Sequence, residues 1–350
     1  MTETKWYQNP AVDAYVIISS RVRLARNLSS FHFPSRLSPP AAARALDVMR
    51  TAVNTGYQDG YKDPEANFIN LSNMSNLDLN ILAEQHLISP YMVSSSLNRG
   101  VFFDKHGDVT VMFNEEDHLR IQSIVAGDNL EAVFNGSNTM EELLSFQVDY
   151  AFDREFGFLT SCPSNTGTGM RASYMLHIPL LEGSGNLKRE MATLAKAGIV
   201  MRGMHGEGSG SLGSIYQVSN QKTLGKKEAD ILQELKAYTN QLVEKEQALR
   251  GAMVMDYLIE AQDSFWRSLG AISNSRKMSL NEALRHLSEI RLGAMLGASL
   301  GFCKNPSSLT IYNLMVNIQP FSLQKIMGPA TDARHLDVLR AQYLRETINS

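Results

Sequence analysis

Apolar residues form short, closely bounded runs over the first part of the chain, a pattern typical of strands. Residues 13–18 (DAYVII) predict a short strand, and residues 99–113 (RGVFFD, a turn, then VTVMF) predict a hairpin. Residues 199–220 are expected to form a strand, a glycine-rich loop and a second strand. Between them, helices are predicted over 38–53, with a serine N-cap and proline in the first turn, and over 186–197, ending at a glycine. Strands and helices are therefore mixed in this part of the chain.

Two capping boxes predict the starts of further helices, because a serine or threonine followed three residues later by glutamate satisfies the first free N–H groups. Thr139 with Glu142 predicts one helix, and Ser279 with Glu282 predicts another. The first helix is expected to carry Leu143, Leu144 and Phe146.

Beyond about Gly225 the apolar positions recur with a helical period. Residues 227–269 are expected to be helical, with one apolar face made of Ile231, Leu232, Leu235, Leu242 and Leu249. Further helices are predicted over 307–327 and 332–348. We therefore divide the chain near residue 245 into a mixed α/β part (13–245) and an all-helical part (246–350).

Composition narrows the class of protein. The 350 residues are 43% hydrophobic and 20% charged, enough for a sizeable core in one or two domains. A net charge of −3 leaves no basic excess to neutralise phosphates, which excludes a general nucleic-acid binder. The two cysteines, Cys162 and Cys303, have no metal-ligand spacing, which is consistent with a reducing compartment. There is no signal-like N-terminus and no apolar run of transmembrane length, so we expect a soluble cytoplasmic protein without a membrane partner.

Charged residues crowd the end of the apolar run 109–113. Glu115, Glu116, Asp117 and Arg120 follow it almost together. Like charges so close repel each other, and burying them costs more still. Either water solvates them on a loop, or a cationic ligand and a metal compensate them.

Five arginines share their segments with glycines or carboxylates: Arg21, Arg23, Arg120, Arg171 and Arg202. In an extended segment, positions i and i+2 point to one side, so Arg21 and Arg23 would act together. Arginine binds phosphate oxygens with a planar, permanently charged fork. A convergent set would suit a triphosphate, although any one of them on its own would be a solvated surface residue.

Two loops carry single reactive residues. GMHGEGSGSLG fits neither the dinucleotide-binding fingerprint nor a P-loop, and it is either a flexible hairpin or a functional loop that presents Glu207. Cys162 precedes Pro163 in the other loop. A lone cysteine is more often an inert buried residue, and no histidine–acid partner can be assigned, so a covalent cysteine mechanism is not predicted.

Four motifs in this order resemble the catalytic domain of phosphagen (guanidino) kinases: SSRVR, NEEDHLR, SCPSNTGTGMRAS and RGMHGEGSGSLGSIYQVSNQKTLG. The resemblance covers about residues 13–245. The chain is similar above all to bacterial protein-arginine kinases of the McsB type, through EQHLISP, SFWRSLGAISNSR, SEIRLGAMLG and LDVLRAQYLRE. The resemblance implies an α+β fold: an antiparallel sheet flanked by helices, followed by an all-helical C-terminal domain.

The resemblance implies transfer of the γ-phosphoryl group of ATP to arginine side chains of proteins, with ATP and Mg²⁺ as cofactors. It assigns catalytic roles to Glu115, Glu116, Glu207 and Cys162. Glu116 and Glu207 would grip the guanidinium, with Glu116 as the base, and Glu115 would act towards the Mg²⁺ shell. Cys162 would tune substrate geometry without forming a covalent intermediate. A guanidinium is protonated at physiological pH and is a poor nucleophile, so positioned carboxylates must orient it and take its proton.

The resemblance also assigns nucleotide contacts to five segments. The five arginines would meet the ATP phosphates. His86 would contact the nucleotide, although a core or capping role for it stays open. The full predicted set is Ser19, Ser20, Arg21, Val22, Arg23, His86, Arg120, Arg171, Ala172, Ser173, Tyr174, Met175, Arg202, Gly203, Met204, His205, Gly206 and Glu207.

The helical part carries a partial match to the phosphoarginine-binding motif of this family, written RDxxRA. Asp337, Arg340 and Ala341 match, but Leu336 replaces the first arginine. Asp337 and Arg340 are therefore the predicted phosphoarginine-binding residues, and tight binding is not expected.

The resemblance implies partners as well: protein substrates through their arginines, a heat-shock repressor, a Clp ATPase of a protease, an activator protein and a second copy of the chain. Two other functions remain open. A kinase of free arginine or another small guanidine is disfavoured because the helical domain that precedes SSRVR in such enzymes is not expected here. A non-catalytic phosphoarginine-binding adaptor is disfavoured by the intact glutamates and arginines.

Overall fold

An eight-stranded antiparallel sheet organises the first two thirds of the chain in the computed structural model, which describes residues 5–14, 16–56, 67–104, 107–204, 211–297 and 310–349. Its spatial order is β2-β3-β4-β5-β1-β8-β10-β9. The strands are β1 (Ile17–Arg26), β2 (Phe68–Asn70), β3 (Gly100–Phe103), β4 (Val109–Phe113), β5 (Leu119–Ala126), β8 (Met170–His177), β9 (Ile199–Gly203) and β10 (Ile215–Asn220). A separate two-stranded hairpin contains β6 (Phe152–Asp153) and β7 (Gly157–Phe158).

One face of this sheet is apolar and covered by helices. Along β1, Val22 and Leu24 are buried on that face, while Arg21 and Arg23 alternate with them on the other. The helices of this part are α1 (Ala11–Ala14), α2 (Pro39–Gly56), α3 (Asn76–Glu84), α4 (Pro90–Ser94), α5 (Leu130–Ser145), α6 (Pro179–Gly183) and α7 (Leu187–Lys196). Apolar residues of α2, α5 and the following helix α8 (Glu228–Asp256) join the strands in one core.

A second core holds the helical part together. Its helices are α9 (Leu258–Asn274), α10 (Leu280–Leu296), α11 (Ile311–Asn317), α12 (Pro320–Met327) and α13 (Ala333–Ile348). The N-terminal residues Trp6 and Tyr7 are buried in this second core, far from it in sequence. Asp13 also joins it, since its carboxylate pairs with buried Arg291 at 3.2 Å and accepts the main-chain N–H of Tyr312. The start of the chain therefore ties the sheet to the helical part.

The predicted division near 245 falls inside helix α8, which runs without a break from Glu228 to Asp256. Ile231 and Leu235 of this helix belong to the core of the sheet. Its C-terminal end, with Met253, packs against the helical core. One helix is thus shared by both parts, and 13–245 and 246–350 remain a predicted division.

Several predicted elements are confirmed. The hairpin 99–113 appears as β3 and β4, and the strand–loop–strand 199–220 appears as β9 and β10. Helix α7 ends just before Gly198, whose φ of 76° suits a glycine C-cap. The helix predicted over 38–53 is α2, and the α+β fold with an antiparallel sheet and a helical C-terminal part is confirmed.

The capping box at Thr139 was wrong. Thr139 and Glu142 lie inside α5, which begins at Leu130. Phe146, expected on the apolar side, is 82% exposed. The serine or threonine followed by glutamate is also compatible with a helix interior, and burial of Val133 and Met140 against the sheet sets the real start. The second box is confirmed, because the Ser279 hydroxyl accepts the N–H of Glu282 at 3.3 Å.

The long helical pattern over 227–269 is two helices, α8 and α9, separated at Tyr257. The pattern over 307–327 likewise contains α11 and α12 in its described residues, where Pro320 starts the second helix. Across the described residues, no helix is long and apolar enough to cross a bilayer.

Candidate active site

Strand register places the five predicted arginines on one face of the sheet. Residues directly opposite each other on antiparallel strands point to the same side. Arg23 on β1 faces Arg171 on β8, and Ala25, two residues after Arg23, faces Arg120 on β5. Met175 on β8 lies opposite Gln217 on β10, and Gln217 lies opposite Arg202 on β9. Arg202 is therefore on the same side of the sheet. The predicted convergence of these arginines therefore follows from the pairing.

These guanidinium groups are crowded and incompletely paired. Burial and the neighbouring Arg120 and Arg171 lower the pKa of Arg21 to about 10. Burial and the same neighbours, with Arg21, lower the pKa of Arg23 well below its ordinary value. The buried Nε atoms of Arg23 and Arg171 have no hydrogen-bond partner among the described residues. A crowded cluster of partly buried cations with open donors is suited to bind a polyanion.

A cavity of about 560 Å³ lies over this face. Arg21, Arg23 and Arg120 line it together with His86 and Met204. We refer to this space as the larger cavity. Its size falls in the range of small-molecule and cofactor sites.

Glu115 is committed to the arginine cluster. Its side chain is buried, and Oε1 accepts from Arg120 Nη1 at 2.5 Å and from the Ser89 hydroxyl at 2.6 Å. Its other oxygen accepts the main-chain N–H of Glu116 at 2.8 Å. Burial pushes the pKa of Glu115 up, but the charge and hydrogen bond of Arg120 and the other two bonds outweigh it and hold the pKa below its usual value. Glu115 is therefore an ionised anchor that orients Arg120.

Glu116 is the open carboxylate of the group. Its side chain is exposed, and it lines a smaller cavity of about 120 Å³ with Cys162, Arg23, Arg120 and Arg171. Neighbouring protein atoms partly desolvate its carboxylate, and this desolvation, with the negative charges of Glu115 and Asp117, raises the pKa of Glu116. A carboxylate with a raised pKa that faces a cavity is suited to accept a proton.

Cys162 faces the same smaller cavity from the loop that follows β7. Its Sγ atom lies 3.0 Å from the Ser164 hydroxyl. No described histidine lines this cavity. Within the described residues, the arrangement thus offers the thiol no histidine partner.

Asp117 explains part of the crowding of charge that the sequence showed. It is buried, and its Oδ1 accepts from Asn27 Nδ2 and from the main-chain N–H of Ser161, both at 2.6 Å. Its neighbour His118 is also buried, and its Nδ1 accepts the main-chain N–H of Leu28 at 3.2 Å. These two residues fasten β1 and the cysteine loop to the strand end. The three carboxylates therefore differ in their surroundings. Glu115 pairs with Arg120, Glu116 faces the smaller cavity, and Asp117 accepts from the Asn27 side chain and from the main chain of Ser161.

The remaining predicted residues are distributed over both faces of the strands. Ser20 caps the loop before α5, since its hydroxyl donates to Gly127 O and accepts the N–H of Asn129. Met175 is buried beneath Tyr312 of the helical part. The side chains of Val22, Ala172 and Tyr174 lie in the apolar core, while Ser19 and Ser173 are buried on the arginine side. These side chains line neither cavity, so their predicted nucleotide contacts remain predictions.

The glycine-rich loop falls largely outside the described residues. His205, Gly206 and Glu207 are not described, so their predicted roles stay predictions. Gly203 and Met204, which precede them, are described, and Met204 borders the larger cavity.

Two site residues were missed by the sequence reasoning. Gln217 accepts a hydrogen bond from Arg21 Nη2 at 2.6 Å, and Ser89 donates to Glu115. Ser89 lies in the segment EQHLISP, and Gln217 lies in the strand after the glycine loop, so both were within quoted motifs. A buried guanidinium or carboxylate needs a hydrogen-bond partner. The polar side chains within the quoted motifs were therefore the signal that could have found both residues.

The predicted phosphoarginine pair lies on α13, at the base of the helical core. Arg340 is 2% exposed; its Nη1 donates to Asp337 Oδ1 at 2.7 Å and to Met278 O at 3.0 Å. Its Nε donates to Ile318 O at 3.2 Å. Leu336 packs against the same core. In this arrangement Arg340 links three helical segments, and its role towards phosphoarginine remains a prediction.

The described residues hold no group of three or more metal-ligating side chains. Mg²⁺ is usually bound through one or two carboxylates plus substrate phosphates, and Glu115 is the carboxylate predicted to act towards its shell. Glu115 accepts three hydrogen bonds. A carboxylate has about four acceptor positions, which leaves about one for a water of the metal shell.

Comparison with known proteins gives two family matches. The model described as ATP:guanido phosphotransferase, C-terminal catalytic domain, matches residues 47–249. The model described as Protein-arginine kinase McsB C-terminal domain matches residues 259–350. The first match covers strands β2 to β10 and the second covers the helical part, while β1 precedes both matches.

Curated relatives match over nearly the full length. A protein-arginine kinase of Shouchella clausii is 37% identical over 343 residues, 98% of this chain and 94% of the relative. One of Desulforamulus reducens is 38% identical over 348 residues, covering 99% and 96%.

Solved structures agree on the fold. The duplicated taurocyamine kinase from Schistosoma mansoni with bound transition state analog components has a TM-score of 0.60 at 28% identity, covering 76% of this chain and 38% of that one. A lombricine kinase has a TM-score of 0.58 at 25% identity, covering 71% and 70%. With both family models in order and relatives this similar along the whole chain, the chain belongs to the protein-arginine kinase family, whose catalytic part is an ATP:guanido phosphotransferase domain.

Proposed function

We propose that this chain transfers the γ-phosphoryl group of ATP to arginine side chains of proteins. The observation that carries the proposal is that the larger and smaller cavities share Arg23 and Arg120. One cavity has the charge for a triphosphate, and the other presents a carboxylate to a guanidinium. The shared arginines lie where the two substrates would meet.

In the proposed reaction, Arg21, Arg23, Arg120, Arg171 and Arg202 bind the phosphates; Arg202 is exposed on β9 and borders neither cavity. Their charge stabilises the negative charge that develops on the transferring group. Glu115 keeps Arg120 in position through the 2.5 Å ion pair. Positioning and charge stabilisation of this kind carry most of the rate in phosphoryl transfer.

Glu116 orients the substrate guanidinium in the smaller cavity and accepts its proton. A guanidinium nitrogen forms the new N–P bond, the bond between the γ-phosphorus and the bridging oxygen breaks, and ADP leaves with that electron pair. The raised pKa of Glu116 suits a base that must take a proton from a very weak acid. Cys162 borders the guanidinium and shapes its cavity. Glu207 would complete the grip on the substrate, as the family motif implies.

Mg²⁺ bound with the nucleotide would neutralise charge on the β- and γ-phosphates. Glu115 is the described carboxylate proposed to reach its water shell. Finer parts of the proposal follow the family alone: action in the cytoplasm, a heat-shock repressor among the substrates, delivery of marked proteins to a Clp ATPase, an activator protein, and a homodimer.

The test is incubation of the full chain with ATP, Mg²⁺ and a loosely folded protein, followed by mass spectrometry under conditions that preserve acid-labile phosphate. Phosphate on arginine, absent with Glu116→Gln, is the expected result. Parallel reactions contain free arginine in place of the protein. Phosphorylation of free arginine with none on protein would replace the proposal with a small-guanidine kinase, and phosphate on neither would overturn it.

A further inference from the structure

We propose that helix α12 of the helical part forms a wall of the nucleotide site, with the Phe321 ring against the base of ATP and Glu84 as the residue that fixes it there. This inference rests on the proposed function only in placing a nucleotide in the larger cavity. It assigns a base-contacting residue outside the guanido-kinase domain, beyond residue 249, where that family match ends.

The larger cavity is lined from both parts of the chain. Arg21, Arg23 and Arg120 come from the sheet, whereas Gln319 and Phe321 come from the start of α12. Arg23 and Arg120 also line the smaller cavity, so the phosphate end of a nucleotide lies on that side. The base then extends towards lining that includes the apolar residues Ala83, Ile88, Pro90, Val93, Met112 and Phe321 beside the polar residues Asn80, Ser89 and Ser94.

A planar base favours contact with an aromatic ring. Of the described residues that line the larger cavity, His86 and Phe321 carry aromatic rings. His86 has a φ of 60°, a left-handed conformation that its neighbours hold in place: its main-chain carbonyl accepts from Gln122 Nε2 at 2.9 Å. Phe321 is partly buried, as expected of a side chain on the rim of a cavity. The two rings come from different parts of the chain and line the same space.

Glu84 fastens the start of α12 from the opposite part of the chain. Helix N-termini leave main-chain N–H groups without partners, and Gln319, the N-cap residue, makes no side-chain cap bond. Glu84 supplies the cap: Oε1 accepts the N–H of Phe321 at 3.0 Å, and Oε2 accepts the N–H and the hydroxyl of Ser322, both at 2.7 Å. Glu84 is the last residue of α3 and itself borders the larger cavity. The bond to Phe321 holds its main chain in place at the edge of the cavity, and the ring extends from that point.

Asp78 offers a matched control for this clamp. It lies on α3 and pairs with Lys325 of α12 at 3.1 Å, so it joins the same two helices. Neither residue borders the larger cavity. Asp78→Asn therefore loosens the contact between the helices without touching the nucleotide wall, whereas Glu84→Ala removes the cap itself.

The experiment compares ADP with inorganic triphosphate, which has phosphates but no base, by calorimetric titration into the full chain. Phe321→Leu keeps apolar bulk and removes the ring; Phe321→Ala removes both. Stacking of a base on an aromatic ring is worth enough that we expect ADP to bind about ten-fold more weakly, with triphosphate unchanged. Ile326→Ala, on the exposed side of the same helix, should change neither. Unchanged ADP affinity in Phe321→Leu, or equal losses for both ligands, would overturn the inference.

The role of Glu84 is read from kinetics. Glu84→Ala should raise the KM for ATP several-fold and leave the KM for the protein substrate unchanged, with partial rescue in Glu84→Gln because its amide oxygen still accepts one N–H. An equal effect of Asp78→Asn would show general loosening of the helices and refute the clamp. Titration with ADP needs no phosphoryl acceptor. If ADP binding depends on Phe321 but no protein is phosphorylated, the proposed function is refuted and this inference stands.

Discussion

Arg23 and Arg171 lie directly opposite each other on adjacent strands, with the buried Nε atom of each lacking a hydrogen-bond partner among the described residues. Like charges directly opposite each other destabilise a sheet. In the proposed function, a bound polyanion would offset the repulsion between these two groups.

Arg23→Met should raise the melting temperature of the nucleotide-free protein, because it removes a desolvated charge from a repelling cluster. The same variant should lose the stabilisation that ATP gives. For the unsubstituted chain, that stabilisation is about 2.7 kcal/mol at a ligand concentration 100 times the Kd. Thermal melts with and without ATP measure both effects. Arg36→Met, at an exposed position, is the control and should alter neither value; full ATP stabilisation in Arg23→Met would contradict the assignment.

Glu116→Gln should leave ATP binding nearly intact and lower phosphoryl transfer on the order of 10²-fold or more, the scale of a lost general base. Glu116 must be deprotonated to act, so activity should rise with pH through its pKa. Because burial and its acidic neighbours raise that pKa, the acidic limb of the kcat/KM profile should lie above the ordinary value for glutamate, about 4.3. Single-turnover rates across pH measure this. Glu155→Gln, at an exposed position, should behave like the unsubstituted chain, and near-normal turnover of Glu116→Gln would remove it from the role of base.

Cys162→Ser should keep measurable activity, because the sulfur borders the smaller cavity and the proposed transfer goes directly from ATP to the guanidinium. A bulky thiol reagent on Cys162 should block the guanidinium and abolish transfer, without preventing ATP from binding in the larger cavity. The Cys162→Ser variant treated with the same reagent is the control, since it retains Cys303. Trapping of a phosphocysteine during turnover would show that transfer is not direct.

Free phosphoarginine should bind the helical part weakly. Leu336 offers no donor to a phosphate, and a hydrogen bond to a charged group is worth roughly 1.5–3 kcal/mol, equivalent to a loss of about ten-fold or more in affinity. Arg340 already donates to Asp337 and to two main-chain carbonyls. Leu336→Arg should tighten binding, as measured by calorimetric titration into the full chain.

Arg334 is the residue that would rescue phosphoarginine binding if any does, since it is exposed two positions before Leu336 on α13. Residues two apart on a helix point in different directions, so we expect no rescue. Arg334→Ala should therefore bind as weakly as the unsubstituted chain. Tight phosphoarginine binding by the unsubstituted chain would refute the prediction of weak binding. If that tight binding persisted in Arg334→Ala, rescue by Arg334 would also be excluded.

The carboxylates after β4 show what local sequence determines and what packing adds. The motif identified Glu115 and Glu116 and their arginine, because residue type and order are local properties of the chain. The resemblance also predicted different roles for them, with Glu116 as the base and Glu115 towards the Mg²⁺ shell. Only the packing of Ser89 and Arg120 against Glu115 decided that one carboxylate is a buried anchor and the other faces a cavity.

The helices show the same limit. Apolar periodicity predicted α2, α7 and the helical C-terminal part, since an amphipathic helix records its own buried face. The capping box at Thr139 failed because a short polar pattern is also compatible with a helix interior. The true start at Leu130 depends on burial against a sheet assembled from distant strands.

The sequence by itself determined the fold class and the family and predicted the residues that carry the chemistry, because motifs and periodicity depend on neighbours along the chain. Only the tertiary structure decided what those residues meet. Antiparallel register brought Arg23 against Arg171, and docking of α12 brought Phe321 and the Glu84 cap to the larger cavity. Glu84 and Phe321 are 237 positions apart along the chain. No local pattern encodes such a contact, which depends on how the apolar faces of the whole chain are buried together.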